Sequence, residues 1–401
     1  MPLNIDNRSV ALAITPILRL AFRPLFLGGT LFSIVAISWW AYFWLNPFDW
    51  LPYGGPVWWH GHEMLFGFGA AIVAGFLLTA VQSWTGVIGI RGKPLAALVL
   101  MWLLGRLLLA CGSALPDWLI AAADVSYLLF AASAMAYPVI KVKQWRNLMF
   151  VPILFVFALL NMASHWGVIT EQPQLAIQSL HATIMLFVLI ISIIGGRVIA
   201  AFTANTMGNQ RAQPMQWLES VSIISIIFML VIAFYGFTNV PSALLFIVSG
   251  VAALANGWRF LRWGFQHSWS DPMLWSLHLA YAFIPLGFIA LALYSVGLMD
   301  NLSAALHSFT VGSIGGMILA MISRVTLGHT GRPLNPHKLV SLAYVFILSS
   351  AIVRVVLPAW LPELTNWGIG LAGVLWVFAY GIYIFFYAPM LLTTRGDGNP
   401  G

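Results

Sequence analysis

Apolar runs of about 20 residues, separated by short polar stretches, recur along this chain from end to end. A run of that length crosses a hydrocarbon core of roughly 30 Å as an α-helix. Twelve can be placed, at about 25–45, 60–83, 95–112, 118–138, 147–167, 176–200, 216–236, 241–261, 272–296, 303–325, 339–357 and 367–391, and are numbered helices 1 to 12. The pattern predicts an all-α polytopic membrane protein, with residues 1–401 forming a single transmembrane domain. The first run, Leu25 to Leu45, lacks the short core and small-residue cleavage site of a secretory signal, so it reads as a retained helix.

Polar positions inside this pattern follow a longer period. Histidines enter from one side on every fourth helix: His60 and His62 on helix 2, His181 on helix 6, and His307 on helix 10. Prolines 94, 214 and 333 open helices 3, 7 and 11 at spacings of 120 and 119 residues. A lone proline at a helix start is ordinary punctuation, but equal spacing suggests three four-helix repeats, over about 24–140, 146–262 and 271–391. His181 precedes Arg197 by 16 residues and His307 precedes Arg324 by 17, a span of about 25 Å at about 1.5 Å per residue. Small-residue pairs Ala71 with Gly75, Ser192 with Gly196, and Gly312 with Gly316 suit close helix packing in lipid.

Composition agrees with the pattern: 61% of the 401 residues are hydrophobic and 7% charged, too apolar for a soluble domain. Sixteen of the 18 Lys and Arg residues, from Arg8 through Arg211 to Arg395, fall on one side of the predicted membrane. Loops on the other side carry Asp49, Asp117, Glu171, Asp300 and Glu363, and only Arg106 and Arg354, inside helices, approach that face. The positive-inside rule therefore predicts cytoplasmic termini. It also accounts for the net charge of +7 and removes any reason to invoke nucleic acid. The single cysteine, Cys111, excludes an internal disulfide, a cysteine-ligated cluster and covalently attached haem.

Several motifs together resemble the NnrS family. They are Trp59-His60-Gly61-His62-Glu63-Met64-Leu65-Phe66-Gly67-Phe68, Gly195-Gly196-Arg197-Val198-Ile199, Leu277-His278-Leu279-Ala280-Tyr281, and His307 leading to Arg324 and Leu327-Gly328-His329-Thr330-Gly331-Arg332-Pro333-Leu334. The chain departs from the expected pattern at Ala201-Phe202-Thr203-Ala204-Asn205. This resemblance implies a haem- and copper-containing protein of the bacterial inner membrane, associated with denitrification and protection against nitric oxide. The architecture is also similar, more distantly, to catalytic subunits of haem–copper oxidases and nitric oxide reductases. There, helices 2 and 10 carry haem ligands and helix 6 a copper ligand. This chain lacks the second helix-10 histidine and the adjacent histidines of helix 7, which argues against a full oxygen-reducing centre.

Intramembrane ionisable groups are costly and mark functional sites. His60 and His62 lie two residues apart, about 200° around a helix axis, and so serve different partners. The expected axial ligands of haem b are His60 and His307, against a plain interfacial role. His62, His181 and His165 are candidate copper ligands. Glu63 ligates, relays a proton or orients an imidazole, with orientation favoured. His278, with His329, marks a second inner site or simply bonds a neighbouring helix. Arg23, Arg197 and Arg324 bind haem propionates there or only set topology. Three functions compete: turnover of nitric oxide with Glu63 and His181 in the catalytic set and electrons from an external donor, non-enzymatic scavenging by bound haem or copper, and transport. Threefold repeats speak against transport, since carriers typically show paired ones.

Overall fold

A computed structural model describes residues 8–111, 115–208 and 212–399; Arg211 lies outside the described residues. Twelve helices are long and apolar enough to cross a membrane: Phe22–Leu45, Pro56–Thr85, Lys93–Cys111, Asp117–Lys141, Phe150–Ile169, Pro173–Thr206, Gln216–Tyr235, Ser242–Arg262, Pro272–Ser295, Leu302–His329, Lys338–Trp360 and Pro362–Leu392. They take up the numbers of the predicted runs, and no strand occurs among the described residues. The chain is a multi-pass membrane protein.

Local chemistry sets the helix ends. Proline occupies the first turn of helices 2, 6 and 9, where its missing N–H costs nothing. The Asp271 carboxylate accepts from Met273 N–H at 2.9 Å, and the Asn301 side chain accepts from Ala304 N–H at 2.9 Å, so helices 9 and 10 start on genuine caps. Helix 6 outruns its predicted end at residue 200 because polar residues in the last turns still complete backbone bonds. It stops at Gly208, whose φ of +64° closes the C-cap.

Sequential helices pack side by side, helix 12 returns against helix 1, and helix 6 touches both helix 2 and helix 10. Helices 2, 6 and 10 are the most enclosed, with 78%, 72% and 78% of their apolar windows buried, against 33% to 61% in the other nine. The histidine-bearing helices are therefore the core, and the others form its lipid-facing wall. The small residues serve this packing. A methyl group on Gly75 would meet Leu25 Cβ at 3.0 Å, and one on Gly316 would meet Ala280 Cβ at 3.0 Å, so helix 2 packs closely on helix 1 and helix 10 on helix 9.

Helices 2 and 10 share a distortion. Each begins as a short α-helical segment ending at or just after its histidines, Pro56–His62 and Leu302–His307, then widens into a π-helix over Glu63–Gly69 and Ser308–Gly315 before resuming α geometry. Helix 6 stays α-helical throughout. Wide turns of this kind re-aim side chains and concentrate at functional sites.

Candidate functional site: two histidine clusters on opposite faces of helix 2

Helices 1, 2, 6, 10, 11 and 12 enclose a cavity of about 330 Å³ lined by His60, His181, His307 and Arg354 amid apolar side chains. The His60 ring stacks on Trp40 at 4.3 Å and lies parallel to His307, with centroids 6.5 Å apart and planes 5° from parallel. His307 Nδ1–H donates to the Ser303 carbonyl at 2.6 Å. A carbonyl only accepts, so this bond sets the tautomer and leaves the Nε2 lone pair for a metal. Buried His60 Nδ1 has no partner. Two metal–imidazole bonds of about 2 Å, plus the half-widths of two rings, place ring centroids about 6 Å apart. The observed separation is of that length. His181, in the first half of helix 6, lines this cavity and also a second space of about 300 Å³ with Gly236 and Phe237, residues of the loop after helix 7.

The opposite face of helix 2 carries a second cluster. His62, Glu63, Arg106 of helix 3, Asp124 of helix 4, and Asn161 and His165 of helix 5 are all buried. His62 Nδ1–H donates to Glu63 Oε1 at 3.0 Å, while His62 Nε2 lies 2.8 Å from Asn161 Oδ1 and 3.2 Å from Asp124 Oδ2. Asp124 Oδ2 also accepts from Asn161 Nδ2 at 2.7 Å and lies 3.2 Å from His165 Nε2. Arg106 bridges both acids, through Nη1 to Glu63 at 3.0 Å and Nη2 to Asp124 Oδ1. Gly105 makes room for this bridge, since a methyl group there would stand 2.7 Å from Asp124 Oδ1.

Ligand atoms of His62, Asp124 and His165 lie within 4.8 Å of one another, so the group can hold a metal ion. Glu63 holds His62 by the ring nitrogen that faces away from Asp124, the usual arrangement behind a metal-ligating imidazole. Tyr53, in the loop before helix 2, closes the cluster outward with its hydroxyl 3.1 Å from His165 Nδ1. Burial, reinforced by Asp117, pushes the Tyr53 phenol above its ordinary range and keeps it protonated.

The copper grouping expected from sequence needs correction. His181 joins His60 and His307, whereas His62 and His165 come together without it, because helix 6 packs on the His60 face of helix 2. Of the two readings of His278, its contact is the one to a neighbouring helix. His278 Nε2 lies 3.0 Å from Thr203 Oγ1, while His329 lies against Phe22. Arg23 Nη1 donates to the Leu391 and Thr393 carbonyls at 3.0 and 2.7 Å, capping helix 12. Arg324 stacks over Phe202 at 3.8 Å, and Arg197 reaches Met149 Sδ. Arg23 and His329 flank Phe22, and Arg324 and His278 lie against the adjacent residues Phe202 and Thr203. Sequence reasoning missed Asp124, Arg106, Asn161 and Arg354 as site residues, although charged groups inside apolar runs were the signal that marks them.

No curated protein matches the chain. The family model described as NnrS protein matches residues 16–395 of the 401, and with nearly the whole chain covered, the protein belongs to the NnrS family.

Proposed function

We propose that this protein binds haem b and copper in the bacterial inner membrane, with both termini cytoplasmic, and handles nitric oxide as part of defence against nitrosative stress and of denitrification. Family membership supports the link to nitric oxide. The haem reading rests on one observation above the others: the parallel His60 and His307 rings 6.5 Å apart on the wall of one cavity. In this reading His60 and His307 hold the iron, Trp40 keeps the His60 ring in plane, and the Ser303 carbonyl holds His307. His62, His165 and Asp124 hold copper, for which imidazole is a suitable ligand. Bound haem supplies a one-electron couple and an iron that attracts nitric oxide; the chain supplies orientation and an apolar, water-poor wall. His181 faces the mouth through which a small molecule arrives. Electrons, where used, come from a donor outside the chain.

A second reading, non-enzymatic binding, gains support from the same geometry. Were His60 and His307 both to hold the iron, no position would stay open for turnover, and nitric oxide would bind there only where one imidazole gave way. Reduced-minus-oxidised spectra with metal analysis of detergent-purified wild type, His60→Ala, His307→Ala and His165→Ala test both sites. The expected result is loss of b-type bands in the first two variants and loss of copper in the third. Absence of haem from folded wild type overturns the reading. Headspace nitrous oxide from the reduced protein given nitric oxide separates turnover from binding.

A further inference from the structure

Five arginines are buried among the described residues, and four have their charge or donors answered, Arg19 by the Ile14 and Leu12 carbonyls at 2.9 and 3.0 Å. Arg106 meets Glu63 and Asp124, Arg259 meets Glu219 at 2.7 Å, and Arg23 donates to a row of carbonyls. Arg354 is different. It is 9% exposed, lines the cavity of His60 and His307, and has no Asp or Glu at ion-pair distance among the described residues. Its single hydrogen bond there runs from Nη2 to the neutral Ser303 Oγ at 3.2 Å. A guanidinium has five donors and keeps its charge, so leaving it unanswered in an apolar cavity is costly.

The geometry points to Arg354 as the anion-binding residue of the cavity, and we infer that its partner is a carboxylate carried into the cavity by the cofactor, a haem propionate. This rests on the haem reading above. The guanidinium fork matches a carboxylate in two parallel bonds. Ser303 ties the two functions together: its hydroxyl accepts from Arg354 and its carbonyl accepts from His307 Nδ1. An anion on Arg354 is thereby registered against the ring that faces the iron. Arg354 is a positioning residue, and it replaces Arg23, Arg197 and Arg324 as the candidate for this task.

The test uses full-length protein produced without haem, folded in detergent, and titrated with haem b or its dimethyl ester, in which both propionates are uncharged. Wild type should bind haem b more tightly than the ester, and Arg354→Gln should weaken haem b about tenfold to a hundredfold while binding the ester as wild type does. Arg354→Lys should recover part of the loss, and the haem midpoint potential should shift in Arg354→Gln. Equal affinity of wild type and Arg354→Gln for haem b overturns the inference and leaves the haem site standing. If folded wild type binds neither haem nor ester, the haem reading fails. In that case acetate and nitrite titrations, read by tryptophan fluorescence, decide whether Arg354 takes a free anion. A response lost in Arg354→Gln keeps the anion site, and no response removes it.

Discussion

Arg106 shows how much one side chain decides here. It lies 3% exposed between two buried carboxylates, and removing one partner of such a pair leaves charge stranded in low dielectric. Arg106→Leu should cost about 3–5 kcal/mol, read as a lowered unfolding midpoint in detergent. Adding Asp124→Asn to Arg106→Leu should recover part of that loss, because it neutralises one stranded carboxylate. At the metal-capable cluster, Asp124→Asn alone should lower bound copper without moving the haem bands, since Asp124 lies on the far face of helix 2 from the cavity. Equal loss of both metals would show that the two clusters are one site. The opposed facing of His60 and His62 was legible in their spacing; their partners were not. Asp124 and Asn161 come from helices 4 and 5, and no local pattern records which helices pack against a given face.

At the scale of elements, helix existence and order follow from apolar run length, since an unpaired backbone is too costly in lipid to leave the helix. The π-helical segments were not legible. Inserting a wide turn changes the hydrogen-bond step without changing the apolar content of the run, so composition is blind to it. These segments set register: the Tyr380 hydroxyl donates to the Gly315 carbonyl at 2.8 Å, at the end of the helix 10 distortion. Deleting Val311 should take out the extra residue that the wide turn absorbs and restore α geometry there, removing the local re-aiming of the turns that follow His307. We expect such a protein to insert normally and to lose its haem bands; retained bands would mean that the wide turn does not position His307.

For the whole molecule, an even number of crossings among the described residues puts both ends on one side, and the Lys and Arg bias predicts that this side is the cytoplasm. A fluorescent protein fused after Gly401 should light up, and alkaline phosphatase fused there should stay inactive; the reverse would invert the topology. The enclosure of helices 2, 6 and 10 explains why the histidines recur every fourth helix. Those are the helices that the others wrap, so a polar side chain on them faces protein or cavity and not lipid.

By itself the sequence determined the class of the molecule, the number and order of its crossings, its orientation bias, its family, and the histidines worth watching. All of these rest on run length, on charge counted along the chain, and on local motifs. The tertiary structure decided which histidines meet. It joined His60 to His307 and His181, joined His62 to His165 and Asp124, and brought Arg354 to the cavity. Convergence of this kind depends on which faces of distant helices pack together, and that is settled by shape complementarity among small residues and by the pairing of buried charges across helices. Neither leaves a period in the chain.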